Sequence, residues 1–80
     1  MARVLLFGRL RDLAGWRERD MDAATTLFEL KAALSAEDAA LGEALAGPGV
    51  QAAVDKAVVR GDVALAAGSE VAFLPPMSGG

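Results

Sequence analysis

The pattern of hydrophobic and polar positions over the first twenty residues predicts two strands. Residues 3–7 are rich in strand-forming side chains and are followed by Gly8. Residues 10–14 predict one helical turn, which ends at Gly15. Residues 16–21 then alternate loosely between two sets of side chains, as a strand does. We expect the two strands to form a hairpin.

A helical period follows in the middle of the chain. Thr26 and Glu29 have the spacing of a capping box, which predicts a helix start. A second helix is predicted to begin within residues 35–38 and to end at the Gly-Pro-Gly of residues 47–49. The apolar stripes are Leu27, Leu30, Ala33 and Leu34 in the first helix and Ala40, Leu41, Ala44 and Leu45 in the second.

Three further short segments have strand-like composition. They are residues 50–54, 57–60 and 70–74, separated by turns at residues 55–56, 61–62 and 68–69. A hairpin, a helical crossover and further strands are the order of a β-grasp sheet, an α+β fold in which the first and last strands lie parallel at the centre. We expect one β-grasp domain over residues 1–76, with helices packed on one face of a mixed sheet, and a flexible tail over residues 77–80.

Strand parity predicts a partner-binding surface on the face of the sheet that the helices do not cover. If one set of apolar residues faces the helices, the alternate set must point away from them. The inward set is Val4, Leu6, Val71 and Phe73, and the outward set is Leu5, Phe7, Ala72 and Leu74, with Val58 at a matching position on a nearby strand. One crossover covers one face, so we expect Leu5, Phe7, Val58 and Leu74 to bind a partner. The alternative is a central pair buried on both faces.

Composition limits the chemistry that the chain can perform. Its 80 residues are 54% hydrophobic, which is enough for one folded domain. It contains no Cys, no His and no Tyr. Thiolate nucleophiles and disulfides are therefore excluded, and the commonest general base and metal ligand are missing. We expect no metal site, and a chain without catalytic residues of its own.

Charge and hydropathy exclude two further classes of function. The net charge is −3 and the basic residues are scattered, whereas nucleic-acid binding needs a coherent basic face. No apolar run approaches the about 20 residues of a membrane span, and no signal peptide is recognisable. We expect a cytoplasmic protein that binds neither nucleic acid nor membrane, and whose acidic surface suits a partner with a basic groove.

The chain's end carries the most distinctive pattern. Two prolines cannot continue a sheet ladder and favour an extended chain, and the side chains then become small. The segment consists of Pro75, Pro76, Met77, Ser78, Gly79 and Gly80. An extended stem that ends in residues without Cβ suits insertion into a narrow tunnel of another protein. A frayed terminus is the alternative, although it does not require this gradient.

The group that such an end presents is a carboxylate. A terminal carboxyl is ionised at neutral pH and is a poor electrophile, so it needs activation, most simply as an acyl-adenylate made by a separate ATP-using enzyme. Attack by a sulfur nucleophile on that adenylate gives a thiocarboxylate. A chain without Cys can carry sulfur in this form, on Gly80.

Two motifs give the sequence a family resemblance. Val-Leu-Leu-Phe-Gly at residues 4–8, followed by Arg-Asp-Leu-Ala-Gly at residues 11–15, resembles the opening of the small subunit of molybdopterin synthase, a ubiquitin-like sulfur carrier. Residues 68–80, Gly-Ser-Glu-Val-Ala-Phe-Leu-Pro-Pro-Met-Ser-Gly-Gly, resemble that family's closing strand and tail. The central helices carry little of the resemblance.

The resemblance implies a role in molybdenum cofactor biosynthesis. A ubiquitin-activating-like enzyme would adenylate Gly80 with ATP, and a sulfur donor enzyme would supply the sulfur of a thiocarboxylate. The tail would then insert into a large catalytic subunit and give its sulfur to a cyclic pterin precursor. The chain itself would bind no cofactor. Arg11 matches an arginine of the opening motif and is a candidate contact for the activating enzyme, although a solvated arginine explains it equally well.

Other functions share this fold and this ending. One is a sulfur carrier for thiamine or another sulfur-containing product, although paired prolines are unusual in the thiamine branch. Another is a protein modifier joined to lysines through its last glycine, and a third is a β-grasp module that only binds partners. A pure binding module would not need a free carboxylate at Gly80.

Overall fold

A computed structural model of the protein describes residues 2–21 and 25–76, and within them five strands form one mixed sheet. The strands are β1 (Ala2–Leu6), β2 (Glu18–Met21), β3 (Gln51–Val54), β4 (Ala57–Val59) and β5 (Glu70–Leu74). Their spatial order is β2-β1-β5-β3-β4, with β1 and β5 parallel and the other neighbours antiparallel. The helices of these residues are α1 (Arg9–Ala14), α2 (Leu27–Glu37) and α3 (Ala39–Leu45). This is the predicted ubiquitin-like β-grasp arrangement.

The core lies between the sheet and the helices, on one face of the sheet. Val4 and Leu6 of β1 and Val71 and Phe73 of β5 are at most 2% exposed, which confirms the predicted inward parity. The helices contribute the buried side chains Leu10, Leu27, Leu30, Leu34, Leu41 and Leu45 to the same cluster. Burial of such side chains stabilises a fold by about 1.5–3 kcal/mol each. None of the helices in the described residues is long and apolar enough to span a membrane.

The break between α2 and α3 lies at Asp38, the last residue of the range within which the second helix was predicted to begin. Asp38 has extended backbone angles, with φ −147° and ψ 97°. Its side chain accepts a hydrogen bond from the backbone N–H of Leu41 at 3.1 Å, so it is the N-cap of α3. The predicted stripe of α3 is partly wrong, because Ala40 is exposed. Leu41 and Leu45, one helical turn apart, form its buried face.

A glycine permits the close crossing of these two helices. Gly42 of α3 lies against Ser35 of α2, and a Cβ at Gly42 would be 2.3 Å from the Ser35 hydroxyl oxygen and 2.8 Å from its Cα. Such distances are below van der Waals contact. A glycine in a helix interior costs about 1 kcal/mol relative to alanine, and here packing requires it.

The predicted capping box is present at the start of α2. The Thr26 hydroxyl accepts from the Glu29 N–H at 3.1 Å, and the Glu29 carboxylate accepts from the Thr26 N–H at the same distance. The Thr25 hydroxyl donates to that carboxylate, and with the backbone N–H of Thr25 it lowers the pKa of Glu29. The ionised form is therefore favoured in the folded state, and its contribution is lost as pH falls through the lowered pKa.

The remaining predicted strands are present with small shifts at their ends. The second strand begins at Glu18, two residues later than predicted, and residues 70–74 form a strand as predicted. Asp55 and Lys56 have positive φ, 50° and 73°, in the two-residue turn between β3 and β4. Positive φ at both positions matches the twist of a hairpin. The turn predicted at residues 55–56 is therefore confirmed.

We predict that Thr26→Ala lowers the free energy of unfolding by about 1 kcal/mol, because it removes the acceptor for the Glu29 N–H. Chemical denaturation measures this difference. Thr26→Ser is the matched control, since it retains the hydroxyl, and it should remain close to the unaltered protein. Equal stability of the alanine and serine variants would contradict the capping role.

Candidate functional site

The described part of the chain ends in two prolines that leave the sheet from its central strand. Pro75 and Pro76, here called the stem, follow the last residue of β5 directly. Pro75 is half-buried and Pro76 is exposed. Because β5 pairs in parallel with β1, the stem emerges beside the end of β1. The fold therefore fixes where the tail starts.

Two glycines support the stem. A Cβ on Gly8 would be 3.0 Å from Cγ of Pro75, and a Cβ on Gly49 would be 2.9 Å from Cβ of Pro76. Both glycines also have positive φ, 56° at Gly8 and 83° at Gly49, which other L-residues rarely adopt. Each position thus requires glycine twice, for its backbone conformation and for the close approach of a proline.

The predicted chemical group lies just beyond the described residues. Met77, Ser78, Gly79 and Gly80 fall outside the part of the chain that the structure describes. Their insertion into a partner and the chemistry of the Gly80 carboxylate stay predictions. What the structure supplies is the stem from which they continue.

One face of the sheet carries no helix and is here called the open face. Strand register aligns Leu5 with Ala72, Ala72 with Ala53, and Ala53 with Val58 across four strands. Leu74 lies two residues beyond Ala72 on the same strand and so on the same face. The open face is defined by Leu5, Ala53, Val58, Ala72 and Leu74, and strand parity predicted all of them except Ala53.

The open face is only partly exposed. Leu5, Ala72 and Leu74 are half-buried, and Val58 is 55% exposed. Phe7 follows β1 at the next position of the same alternation and is 44% exposed. The central pair is therefore not buried on both faces within the described residues. The two exposed large side chains, Phe7 and Val58, lie on opposite sides of this face with smaller or half-buried apolar residues between them, and partner binding here stays a prediction.

The opposite end of this face is charged. Arg3 lies 3.5 Å from a carboxylate oxygen of Glu18 and 3.6 Å from one of Asp20. Register places Glu70 beside Arg3 on the adjacent strand. At this end the acidic side chains outnumber the single arginine with which two of them pair, whereas the end next to the stem is apolar. The open face is therefore charged at one end and apolar at the end from which the tail continues.

Arg11 lies apart from the open face. It is an exposed residue of α1, and its Nε is 3.8 Å from a carboxylate oxygen of Asp12. It lines a shallow depression together with Gly15, Trp16 and Arg17. The structure does not bring Arg11 together with the open face or the stem, and contact with an activating enzyme stays a prediction.

Trp16 has a structural role. It is half-buried and packs against the core, and the guanidinium of Arg19 lies 5.2 Å from the centre of its ring. Arg19 also pairs with Glu37 at 2.5 Å, which ties β2 to the end of α2. These contacts account for Trp16 without a binding role.

Clustered catalytic groups are not found in residues 2–21 and 25–76. Within these ranges no three His, Cys, Asp or Glu side chains lie together so that they could hold a metal ion. The functional features that sequence reasoning missed are Gly8, Gly49 and Ala53. Glycine after a strand and Gly-Pro-Gly at residues 47–49 were visible signals of turns, but neither pointed to a proline far along the chain.

Comparison of the sequence with known proteins gives a family. Residues 4–80 match the ThiS family, which is nearly the whole chain. A search of curated protein sequences found no match. The family match covers the opening strand, the core and the tail.

Solved structures support the same assignment. The crystal structure of SAMP1 from Haloferax volcanii has a TM-score of 0.81 and 29% identity, covering 99% of this chain and 98% of that one. The solution structure of the small archaeal modifier protein 1 from Methanosarcina acetivorans has a TM-score of 0.84 and 21% identity, covering 99% and 95%. The second likeness shows the fold alone. The protein belongs to the ThiS family of ubiquitin-like small sulfur carriers.

Proposed function

We propose that the protein carries sulfur as a thiocarboxylate on Gly80 and serves as the small subunit of molybdopterin synthase. The observation that best supports this proposal is the position of the stem, whose prolines pack against Gly8 and Gly49 beside an apolar face. A chain without Cys or His has its own terminal carboxylate as the group that can be charged. In the sequence, Gly80 follows the end of the central strand β5 by six residues.

The chemistry divides between this chain and its partners. The Gly80 carboxylate attacks the α-phosphorus of ATP in an activating enzyme, pyrophosphate leaves, and an acyl-adenylate forms. The outer sulfur of a persulfide on a donor enzyme then displaces AMP and forms an acyl disulfide. A second thiol of the donor attacks the donor-side sulfur, so that the S–S bond breaks, the donor becomes a disulfide, and one oxygen and one sulfur remain on the terminal carbon. In the large subunit the sulfur passes to the pterin precursor, and hydrolysis restores the carboxylate.

The pathway is supported by the residues at the two ends of the chain. Residues 4–8 and 68–80 resemble the small subunit of molybdopterin synthase, and the Pro75–Pro76 pair is unusual in thiamine carriers. The open face supplies an apolar contact surface next to the tail, as such a subunit needs for its large partner. A carrier for thiamine or another sulfur-containing product remains the alternative within the family.

A second candidate function is covalent protein modification. It is favoured by the likeness to SAMP1, whose name describes a small archaeal modifier protein. The two functions share the adenylate and differ in the nucleophile, which is sulfur for a carrier and a lysine amine for a modifier. Intact mass after incubation with ATP and extract of the source organism separates them. Exchange of one oxygen for sulfur supports the carrier, and adducts to other proteins support the modifier.

Deletion of Gly80, or extension of the chain beyond it, should abolish sulfur transfer, because either change moves the terminal carboxylate along the chain, away from the position that the partners' sites require. The melting temperature should stay nearly unchanged, since these changes lie outside the core. Pterin maturation with purified partners and thermal denaturation measure the two effects. An extended protein that matures the pterin without being trimmed would refute the carrier function.

Phe7→Asp should weaken binding to the large subunit by roughly tenfold or more, equal to about 1.4 kcal/mol, because it places a charge on the apolar contact surface. Ala36→Asp is the control, since Ala36 is exposed on α2, on the side of the sheet that the helices cover. Calorimetric titration measures both affinities. Unchanged affinity of the Phe7 variant would count against the open face as the binding surface.

Gly49→Ala should slow charging of the carboxylate, because the added Cβ displaces Pro76 and redirects the tail. Gly61→Ala is the matched control, since Gly61 also has positive φ, 74°, but nothing within 4 Å of an added Cβ. Both variants should lose about 1 kcal/mol of stability from backbone strain. The ATP-dependent rate of carboxylate charging measures the difference between the two variants. Equal rates would show that the contact of Gly49 with Pro76 does not affect charging.

A further inference from the structure

A groove runs along the helix side of the stem and belongs to no part of the proposed mechanism. It has a volume of about 660 Å³ and lies between α1, the loop after α3 and the stem. It is here called the stem groove. Its apolar walls include Leu13, Ala44, Pro48, Val50, Pro75 and Pro76.

The position of the stem groove connects it to the tail. Pro75 and Pro76 form one of its walls, while the open face lies on the other side of the sheet. Apolar surface therefore adjoins the stem on two sides. A protein that binds the stem on its helix side covers the groove. Leu13 lies on the rim of the groove and is 48% exposed. Packing in the core does not account for this large apolar side chain.

The rim of the groove carries one basic side chain that the described residues leave unpaired. Arg9 has no ion-pair partner within residues 2–21 and 25–76, whereas Asp12 on the same rim lies 3.8 Å from Arg11. Arg9 is also the first residue of α1, where the helix dipole favours acidic side chains. Its charge therefore does not stabilise α1 and is available to a carboxylate of a partner.

We propose that the stem groove receives an aliphatic or aromatic side chain, flanked by a carboxylate that pairs with Arg9, from the ATP-using enzyme that adenylates Gly80. This inference rests on the proposed function. Adenylation requires precise positioning of the terminal carboxylate, because this anionic group must be held in line with an anionic phosphate of ATP. The tail extends four residues beyond the stem, so an anchor at the stem limits the positions that its end can reach.

The test measures ATP–pyrophosphate exchange by the activating enzyme of the source organism as the concentration of this protein is varied. Leu13→Asp and Arg9→Glu should each raise the half-saturating concentration about tenfold, the loss expected for a buried anchor or a paired charge. Phe28→Asp and Lys31→Glu are matched controls on α2, with the same changes in charge, and should behave as the unaltered protein. Melting temperatures establish that all four variants fold.

The outcomes separate this inference from the function on which it rests. Groove variants that saturate the enzyme like the unaltered protein would overturn the inference and leave the carrier function intact. The same is true if the α2 controls lose as much as the groove variants. If the unaltered protein supports no exchange, both proposals fail. If sedimentation shows a dimer that Leu13→Asp abolishes, the groove binds a second copy of this chain and the inference is overturned. If an acid-to-lysine change in the enzyme restores exchange with Arg9→Glu, the proposed contact is supported.

Discussion

The parallel pairing of β1 with β5 is the constraint on which the rest of the structure depends. Parallel strands need a long crossover, and here it contains α2, α3 and the β3–β4 hairpin. The register aligns Val4 with Val71 and Leu6 with Phe73, so one set of contacts buries four apolar side chains against the helices. The same register brings the end of β5 to the end of β1, and for this reason the stem meets Gly8.

Because the helices cover only one face of the sheet, the open face remains as surface. The helices stabilise one face, and the open face is left with apolar residues at the stem end and paired charges at the other. Paired exposed charges contribute little to stability, about 0–1 kcal/mol, but they disfavour contact with an apolar partner surface. The stem end therefore has what a protein interface needs, namely partly exposed apolar side chains next to the stem.

In the proposed function, the protein contributes the position of its tail and no reactive side chain of its own. A carboxylate at the end of a chain is unreactive until a partner activates it, and the described residues hold no clustered catalytic groups. What the fold supplies is a defined exit for the tail, set by two glycine–proline contacts, and apolar surface on both sides of that exit. A small domain can serve successive partners in this way, since each partner brings its own reactive groups and needs only to bind the same region.

The sequence by itself determined the elements, their order and the β-grasp class, because strand and helix periods and the Thr26 capping box are properties of neighbouring residues. It also predicted the open face, since strand parity needs only the alternation of side chains. The tertiary structure alone decided the contacts of Gly8 with Pro75 and of Gly49 with Pro76, which support the stem. These features depend on atoms far apart in the chain, and a local pattern shows that a glycine permits a turn or a close approach but does not show what approaches it.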